Sequence, residues 1–467
     1  MTDLASLSAR ALAKAIREKK VSSVEATSAA VERLTACHDL THCIVALEAD
    51  EALASARAAD AAIAADMAKG PLTGVPLAHK DMFDRKGKIA SWGARIRPDS
   101  AATDDAAAIA RFKSAGALQI AALHLTEFAY GPTGHNYVLG HARNPWDPSR
   151  ITGGSSAGTA AAVAYGAIPA GLGSDTGGSL RLPAACCGIT SIKPTWGRIS
   201  RAGAMPLAPA LDTVGVIARH VEDLALTLGI LAGPDARDPA ASTLPVPDYV
   251  AHLGDAVRGL KVGLDEKVVG EAHPEVQRMV DQVLTILAKL GLERTRCAFP
   301  DWQTIDHLVQ LVQLPDASAA HAAFLRMRPE EYGPQVRARV EVGHFISAVD
   351  HLTALRARGS FVQRTLDQTF KDIDIAILPI LADPLPTIAE LDVGGGPKVQ
   401  AAMGRVVKYT RPINYLGLPT LTLPIPRSGG LPNGIQLVGR PFAEAQLFAI
   451  GQAYQREVPP EIARPLR

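Results

Sequence analysis

Apolar residues follow two alternating patterns along this chain. Short, continuous apolar runs, as in 117–123, 261–264 and 373–380, predict buried strands. Between them lie longer segments such as 4–18 and 273–290, in which apolar residues recur at helical spacing. Strands that are apolar throughout are typical of a sheet whose faces are covered by helices. The pattern therefore predicts an α/β fold.

The remaining predicted elements continue this alternation. Ser22 and Glu25 form a capping-box pattern that opens a helix reaching to about residue 36. Further helices are predicted over 49–66, 104–116, 220–232, most of 303–371 and from 444 onward, with strands over 72–79, 410–426 and 434–439. No internal repeat is visible. A chain of 467 residues has room for one large domain or for two or three small ones.

Composition narrows the class of protein. The net charge is +1, which gives no reason to expect nucleic acid or an anionic membrane as a partner. The five cysteines are an odd number without CxxC spacing, so we expect reduced thiols rather than a disulfide framework or a zinc site. Neither a signal-peptide pattern nor a charge-free apolar stretch long enough to span a bilayer is present. We therefore expect a cytoplasmic protein without a membrane partner.

The most unusual stretch is 151–183, which holds four serines and eight glycines. Two glycine-rich turns, 153–156 and 175–179, flank a run of small residues that is predicted to be helical. Glycine is used at this density where the backbone takes positive φ or approaches a ligand closely. A flexible linker is the alternative, but linkers do not enclose an Ala/Val-rich helix.

A lysine upstream belongs to the same hypothesis. Lys80 ends the apolar run that begins near residue 72, so its ammonium group is expected to be partly desolvated. Desolvation lowers the pKa of a lysine and allows it to act as a base at neutral pH. The alternative is an ordinary surface lysine at a strand end.

Two other interpretations of the glycine-rich stretch are weaker. Residues 154–158 fit the G-x-S-x-G nucleophile elbow with Ser156 as nucleophile, but the preceding residues 144–150 are a poor strand and no suitable histidine follows. The glycine turns could also bind phosphate, yet neither a G-x-x-x-x-G-K-[ST] nor a properly placed G-x-G-x-x-G motif occurs.

The third interpretation joins Lys80, Ser155 and Ser179 in acyl transfer. A serine hydroxyl needs a base to become a good nucleophile, and a second serine can relay its proton to a neutral lysine. The turn 176–179 would direct consecutive backbone N–H groups at one point, as an oxyanion hole requires. This interpretation accounts for both glycine turns and for the lysine.

The same residues closely resemble the amidase signature family. The resemblance rests on 153–158 and 173–181, and it extends through several shorter stretches to most of the chain: 74–81, 143–145, 193–195, 211–215, 414–419 and 434–439. It implies a single α/β/α sandwich around a large mixed β-sheet, formed by one amidase domain over 1–467. The region of about 235–400 would be the variable, helical part that forms the substrate pocket.

Carried over to this sequence, the resemblance implies a role for each residue. Ser179 would be the acyl nucleophile, Lys80 the general base, and Ser155 a relay serine preceded by a cis peptide bond. The oxyanion amides would come from Thr176, Gly177, Gly178 and Ser179, and the backbone near Ala129 and Tyr130 would line the acyl pocket. No metal and no cofactor is expected.

The resemblance implies hydrolysis of a carbon–nitrogen bond in a small amide, urea or carbamate by the chain alone or as a homodimer. One alternative is the glutaminase subunit of a tRNA-dependent amidotransferase, which would require partner subunits. His79, Met82 and Phe83 are bulkier than the usual family residues, which speaks against that version. Another alternative is a non-catalytic binding member. Several apolar residues of the variable helices either wall the substrate pocket or belong to the core: Leu311, Leu314, Phe324, Leu325, Met327 and Phe345.

Overall fold

A single sheet of 11 strands organises the protein. The computed structural model describes residues 4–68, 70–427 and 430–464. In chain order the strands are β1 (Ile44–Leu47), β2 (Pro76–Lys80), β3 (Leu118–Leu123), β4 (Ala170–Asp175), β5 (Thr190–Lys193), β6 (Thr213–Ala218), β7 (Lys261–Leu264), β8 (Glu293–Arg296), β9 (Ile375–Pro379), β10 (Thr420–Pro424) and β11 (Gly434–Gly439).

The helices surround this sheet. They are α1 (Ala9–Arg17), α2 (Ser23–Thr41), α3 (Ala49–Ala64), α4 (Ala107–Ser114), α5 (Ala157–Ala164), α6 (Arg181–Cys187), α7 (Val221–Leu231), α8 (Glu266–Val269), α9 (Pro274–Lys289), α10 (Trp302–Met327), α11 (Pro334–Val340), α12 (Ala348–Gln368), α13 (Ile388–Leu391), α14 (Lys398–Val406), α15 (Arg411–Leu416) and α16 (Glu444–Glu457). Within the described ranges, no helix has both the length and the apolar character needed to cross a bilayer.

The sheet is mixed, as the resemblance implies. Its strand order is β1-β3-β2-β4-β6-β5-β10-β11-β9-β7-β8. β2 runs parallel to β3 and β4, and β7 runs parallel to β8 and β9, while the other neighbours are antiparallel. The predicted α/β architecture with a large mixed sheet is therefore confirmed.

Burial explains which strands the apolar pattern detected. Every residue of β2, β4, β9, β10 and β11 is buried, and β9 has the continuous apolar run that is typical of a strand covered on both faces. β8, with the sequence Glu-Arg-Thr-Arg, lies at the sheet edge and is largely exposed, so it carries no apolar signal. The prediction of a strand over 410–426 is wrong in its first part, because Arg411–Leu416 forms helix α15 before β10 begins.

Helix α5 lies between the two glycine-rich turns, as predicted. All eight of its residues are buried, and six of them are Ala or Gly. A Cβ atom on Gly158 would collide with the backbone of Cys43 and His124. The small side chains therefore allow α5 to approach the sheet closely and hold both turns at the end of β4.

Candidate active site

Lys80 occupies the last position of β2 and is fully buried. Its Nζ lies 2.7 Å from Oγ of Ser155 and 2.9 Å from Oγ of Ser174. Burial lowers the pKa of Lys80 from 10.5 to about 7, although the charges of Asp175 and Asp212 act in the opposite direction. The amine can therefore be neutral near pH 7, and the prediction of a desolvated lysine is confirmed.

The structure brings the two glycine-rich turns together. The peptide bond between Gly154 and Ser155 is cis, as the resemblance implies. The backbone N–H of Ser156 donates to the carbonyl oxygen of Ser179 at 3.3 Å. A Cβ on Gly154 would lie 2.7 Å from the carbonyl oxygen of Gly131, so only glycine fits there. Ser155, bonded to Lys80, therefore sits in a turn that contacts the turn carrying Ser179.

Asp175, the last residue of β4, organises the turn that carries Ser179. Its fully buried carboxylate accepts the N–H groups of Gly178 at 2.8 Å and Leu180 at 3.1 Å. Arg181 donates to both carboxylate oxygens, at 3.0 Å from Nε and 2.9 Å from Nη2. Burial alone would raise the pKa of Asp175, but the charge of Arg181 holds it well below its usual value. Asp175 is therefore ionised and fixes the turn.

Two residues from the C-terminal part of the chain complete this network. Asn414 Nδ2 donates to Asp175 Oδ1 at 2.8 Å, and Asn414 Oδ1 accepts from Arg181 at 2.5 Å. Arg181 Nη1 donates to Gln436 Oε1 at 2.8 Å. The stretches around Asn414 and Gln436 contributed to the resemblance to the family, but the sequence did not predict that these residues hold Asp175 and Arg181.

These bonds change the assignment of the oxyanion amides. The N–H of Gly178, one of the expected donors, points to Asp175 and is not free for a substrate oxygen. Within the described part of the chain, no protein acceptor is found for the amides of Gly177 and Ser179. Thr176 is held by a bond from its hydroxyl to Asp212 at 2.6 Å. The Thr176 amide also finds no acceptor among the described residues, so the amides of Thr176, Gly177 and Ser179 are the ones available to an oxyanion.

A narrow cavity of about 20 Å³ opens beside Ser179. Ala129, Tyr130, Thr176 and Gly177 are among the residues that line it. Ala129 has a φ of 56°, a left-handed conformation that is rare for a residue with a Cβ. The other lining residues are Gly131, Pro132, Leu182, Leu207, Gln313, Arg339 and Val407.

Arg339 of α11 is the charged residue in this lining, and the sequence did not indicate it. Its guanidinium carbon lies 3.9 Å from the centre of the Tyr130 ring, and Nη1 donates to the Tyr130 carbonyl oxygen at 3.1 Å. Its Nε is buried and finds no acceptor among the described residues. By contrast, the neighbouring Arg411 is paired with Asp306 at 2.7 Å. Arg339 therefore brings an uncompensated positive charge to the cavity.

A second, larger cavity of about 180 Å³ lies on the side of the site that holds Lys80. Its wall includes Met82 and Ser174, and Ser174 donates to Met82 Sδ at 3.1 Å. Ala129, Thr176 and Leu207 line both cavities. None of the six apolar residues proposed from the variable helices lines either cavity: Leu311, Leu314, Phe324 and Leu325 pack against the core, and Met327 and Phe345 are exposed.

The nucleophile-elbow interpretation of Ser156 is wrong. Ser156 precedes α5, but the residues before it form no strand and take part only in isolated bridges, at Arg150 and Ile151. Its Oγ pairs only with backbone atoms of Ser174, at 3.4 Å, in the part of the chain that the structure describes. No base is therefore positioned to activate this hydroxyl.

Other groups of titratable residues lie away from Lys80. All five cysteines are free thiols. One group, His135, His141 and Asp392, has potential metal-ligand atoms within 4.8 Å of one another, which the sequence did not indicate. Both ring nitrogens of His135 are already hydrogen-bonded, to Thr133 at 2.7 Å and to the Ile388 carbonyl at 2.9 Å. This group is explained by protein contacts, and the expectation of no metal stays a prediction.

Comparisons with known proteins agree with this geometry. The sequence pattern of the Amidase family matches residues 25–448. A glutamyl-tRNA(Gln) amidotransferase subunit from Roseiflexus sp. (strain RS-1) is 37% identical over 98% of this chain and 97% of its own length. The names of such relatives give no support to our expectation that nucleic acid and partner subunits are absent.

Solved structures show the same fold over nearly the whole chain. One belongs to a vestigial protein complex that reveals the evolutionary origins of an s-triazine catabolic enzyme; it is 31% identical, with a TM-score of 0.89 over 99% of this chain and all of its own. Another, an amidase, is 29% identical, with a TM-score of 0.86 over 97% of this chain and all of its own. The chain belongs to the amidase signature family.

Proposed function

We propose that the protein hydrolyses the carbon–nitrogen bond of a small amide through an acyl-enzyme on Ser179. The observation that carries this proposal is the contact of 2.7 Å between the buried Lys80 amine and the Ser155 hydroxyl. Ser179 Oγ attacks the carbonyl carbon, and its proton passes through Ser155 to neutral Lys80. The amides of Thr176, Gly177 and Ser179 hold the oxyanion.

The second half of the reaction returns the enzyme to its starting state. As the carbon–nitrogen bond breaks, the proton on Lys80 passes through Ser155 to the departing nitrogen, which leaves as a neutral amine or ammonia. Water then gives one proton to the same relay and attacks the ester carbon. The carbon–oxygen bond to Ser179 breaks, Ser179 Oγ recovers the proton, and a carboxylic acid is released.

Arg339 indicates the chemical class of the acyl group. A buried guanidinium remains protonated and forms its strongest hydrogen bonds with carboxylates. Because Arg339 has a free Nε and shares the wall of the narrow cavity with Ser179, we assign it to a carboxylate on the acyl part of the substrate. The substrates would then be half-amides of short dicarboxylic acids, although urea and carbamate analogues would fit the same chemistry.

The cavity also bears on the charge of the rest of the acyl group. Among the described residues, its lining contains Arg339 but neither aspartate nor glutamate. An α-ammonium group, as in glutamine, would lie near this guanidinium without an acidic partner, and burial of an unpaired charge is costly. The cavity therefore favours an acyl group that has a carboxylate and lacks an ammonium.

A second candidate function is that of a glutaminase subunit in a tRNA-dependent amidotransferase. The specific observation in its favour is the 37% identity to a glutamyl-tRNA(Gln) amidotransferase subunit over nearly the full length. That function would require glutamine as the substrate and partner subunits that use the released ammonia on tRNA. Both candidates use the same acyl-enzyme on Ser179.

Glutaramate and glutamine separate the two candidates, because they differ only in the α-ammonium. With the purified chain alone, we expect glutaramate to be hydrolysed with a kcat/KM at least tenfold above that for glutamine, and malonamate and succinamate define the preferred length. A preference for glutamine, or activity only after partner subunits and tRNA are added, would support the second candidate instead.

The role of Arg339 has its own test. Loss of a charged hydrogen bond costs about 1.5–3 kcal/mol, so Arg339→Gln should raise KM for glutaramate by roughly 10- to 150-fold. Hydrolysis of butyramide, which has no carboxylate, should change much less. Arg337→Gln, on the same helix but pointing to solvent with Glu341, is the matched control. Equal losses on both amides would refute the assignment.

A further inference from the structure

The larger cavity is placed to receive the other half of the substrate. It is lined mainly by apolar side chains, namely Met82, Ala202, Ala204, Met205, Pro206, Leu207, Pro209 and Val214. Its charged residues are engaged in contacts of their own. Asp212 accepts the Thr176 hydroxyl and the N–H groups of Leu207 and Ala208, and Arg201 pairs with Asp238 at 2.9 Å.

The cavity lies beside Lys80, the residue that supplies the proton for the leaving nitrogen in the proposed reaction. Ser174 lines this cavity, and its Oγ lies 2.9 Å from Lys80 Nζ. Ser179 and Arg339 line only the narrow cavity. In an acyl-transfer reaction, the acyl part stays on the nucleophile while the amine departs toward the group that protonates it. The shared wall of Ala129, Thr176 and Leu207 is then where the two halves of the substrate meet.

We infer that this cavity is a leaving-group site that takes an apolar substituent on the amide nitrogen. The inference rests on the proposed function and extends it: the preferred substrates are secondary amides, with a small anionic acyl group and an apolar amine. The size of the cavity supports a ring-sized substituent, because an apolar cavity of roughly 150 Å³ holds benzene in another protein. A primary amide would leave most of these apolar residues without contact.

A secondary amide reacts by the same steps as the primary amide described above. The bond from Ser179 Oγ to the carbonyl carbon forms, and the bond from that carbon to the substituted nitrogen breaks. The proton taken from Ser179 ends on the nitrogen, so a primary amine such as benzylamine is released. Water then hydrolyses the ester, and the dicarboxylic acid leaves.

The test compares matched substrates on the purified full-length chain. The N-benzyl amides of malonate, succinate and glutarate are assayed beside the unsubstituted half-amides, with release of benzylamine or ammonia as the readout. We expect the N-benzyl amide of the preferred acid to have a kcat/KM at least tenfold above that of its primary amide. The gain should come from the contacts of the benzyl group in the cavity.

Two variants that fill the cavity provide the second part of the test. Met205→Trp fills it from the buried side, and Ala204→Phe does so from the partly exposed side with less risk to folding. Each should lower the ratio of N-benzyl to primary-amide kcat/KM at least tenfold. Met279→Trp, at a partly buried methionine in a remote cavity, is the control and should leave the ratio unchanged.

The outcomes distinguish this inference from the function on which it rests. Hydrolysis of primary half-amides without any preference for the N-benzyl amides would overturn the leaving-group site and leave the proposed function intact. An unchanged ratio in a folded Ala204→Phe protein would overturn it as well. If neither kind of half-amide is hydrolysed, the proposed function fails and this inference fails with it.

Discussion

Replacing Lys80 by methionine should stabilise the protein at neutral pH while abolishing amide hydrolysis. Burial lowers the pKa of Lys80 from 10.5 in the unfolded chain to about 7 in the folded protein. Between pH 7 and pH 10.5 the unfolded state binds more protons than the folded state, so the contribution of Lys80 to the free energy of unfolding rises with pH. At pH 7 the lysine therefore opposes folding, and a buried methionine does not.

The size of the effect follows from the two pKa values. A difference of about 3.5 pH units corresponds to about 5 kcal/mol, of which about 4 kcal/mol applies at pH 7. The substitution also removes the hydrogen bonds to Ser155 and Ser174, worth about 1 kcal/mol each. The net gain is about 2 kcal/mol, or about 2 °C in Tm for a chain of this length.

Thermal unfolding of the parent and of Lys80→Met at two pH values tests this reasoning. At pH 9.5 the cost of the buried amine falls to about 1 kcal/mol, so the gain in stability should disappear. Lys113→Met, at a lysine that is 44% exposed, is the control and should show no comparable pH dependence. If Lys80→Met were several kcal/mol less stable than the parent at pH 7, the lysine would be a stabilising cation rather than a neutral base.

Four further predictions concern catalysis. In the parent, kcat should rise with pH through about 7 as Lys80 loses its proton. Lys80→Met should lose amide hydrolysis far more than ester hydrolysis, because esters have better leaving groups. An unchanged amide-to-ester ratio would exclude Lys80 as the base and acid. Ser179→Ala should abolish turnover and labelling by a fluorophosphonate, whereas Ser156→Ala should keep both. Asp175→Asn should lower kcat by roughly 100-fold with KM within threefold, because the Ser179 turn loses its anchor; a larger change in KM would contradict a positioning role.

The sequence predicted several of the elements that are buried throughout. The strands β2, β9 and β11 were predicted from their apolar residues, and Ser22 and Glu25 form the capping box that the spacing predicted. β4 is equally buried but was not predicted, because two glycines, Ser174 and Asp175 interrupt its apolar residues. Both edge strands were missed: β1 is apolar but only four residues long, and β8 is also four residues long and consists of polar and charged residues. Helix α15 was mistaken for a strand because all six of its residues are buried, which removes the polar face that marks a surface helix.

For the site, the sequence identified residues that lie close to one another along the chain or in a family motif. The contact between Lys80 and Ser155 was expected, and the structure shows it. Arg339 and Gln313 were missed because they lie on helices of the variable region. In such helices the sequence does not distinguish a buried polar or charged side chain from one on the surface. Only the tertiary packing of α11 against the loop at Tyr130 reveals that the guanidinium of Arg339 is buried.

The strand order has a consequence for the timing of activity during synthesis. β10 and β11 lie between β5 and β9, so no ladder joins β7–β9 to the N-terminal strands until these two late strands are made. Asn414 and Gln436, which hold the Asp175–Arg181 pair, come from the same late segment. A nascent chain therefore carries Lys80 and Ser179 long before their turn is fixed, and it exposes two unpaired apolar edges in the meantime. Hydrolytic activity should appear only when the last strands leave the ribosome, and until then the unpaired edges of β5 and β9 are where a chaperone would bind.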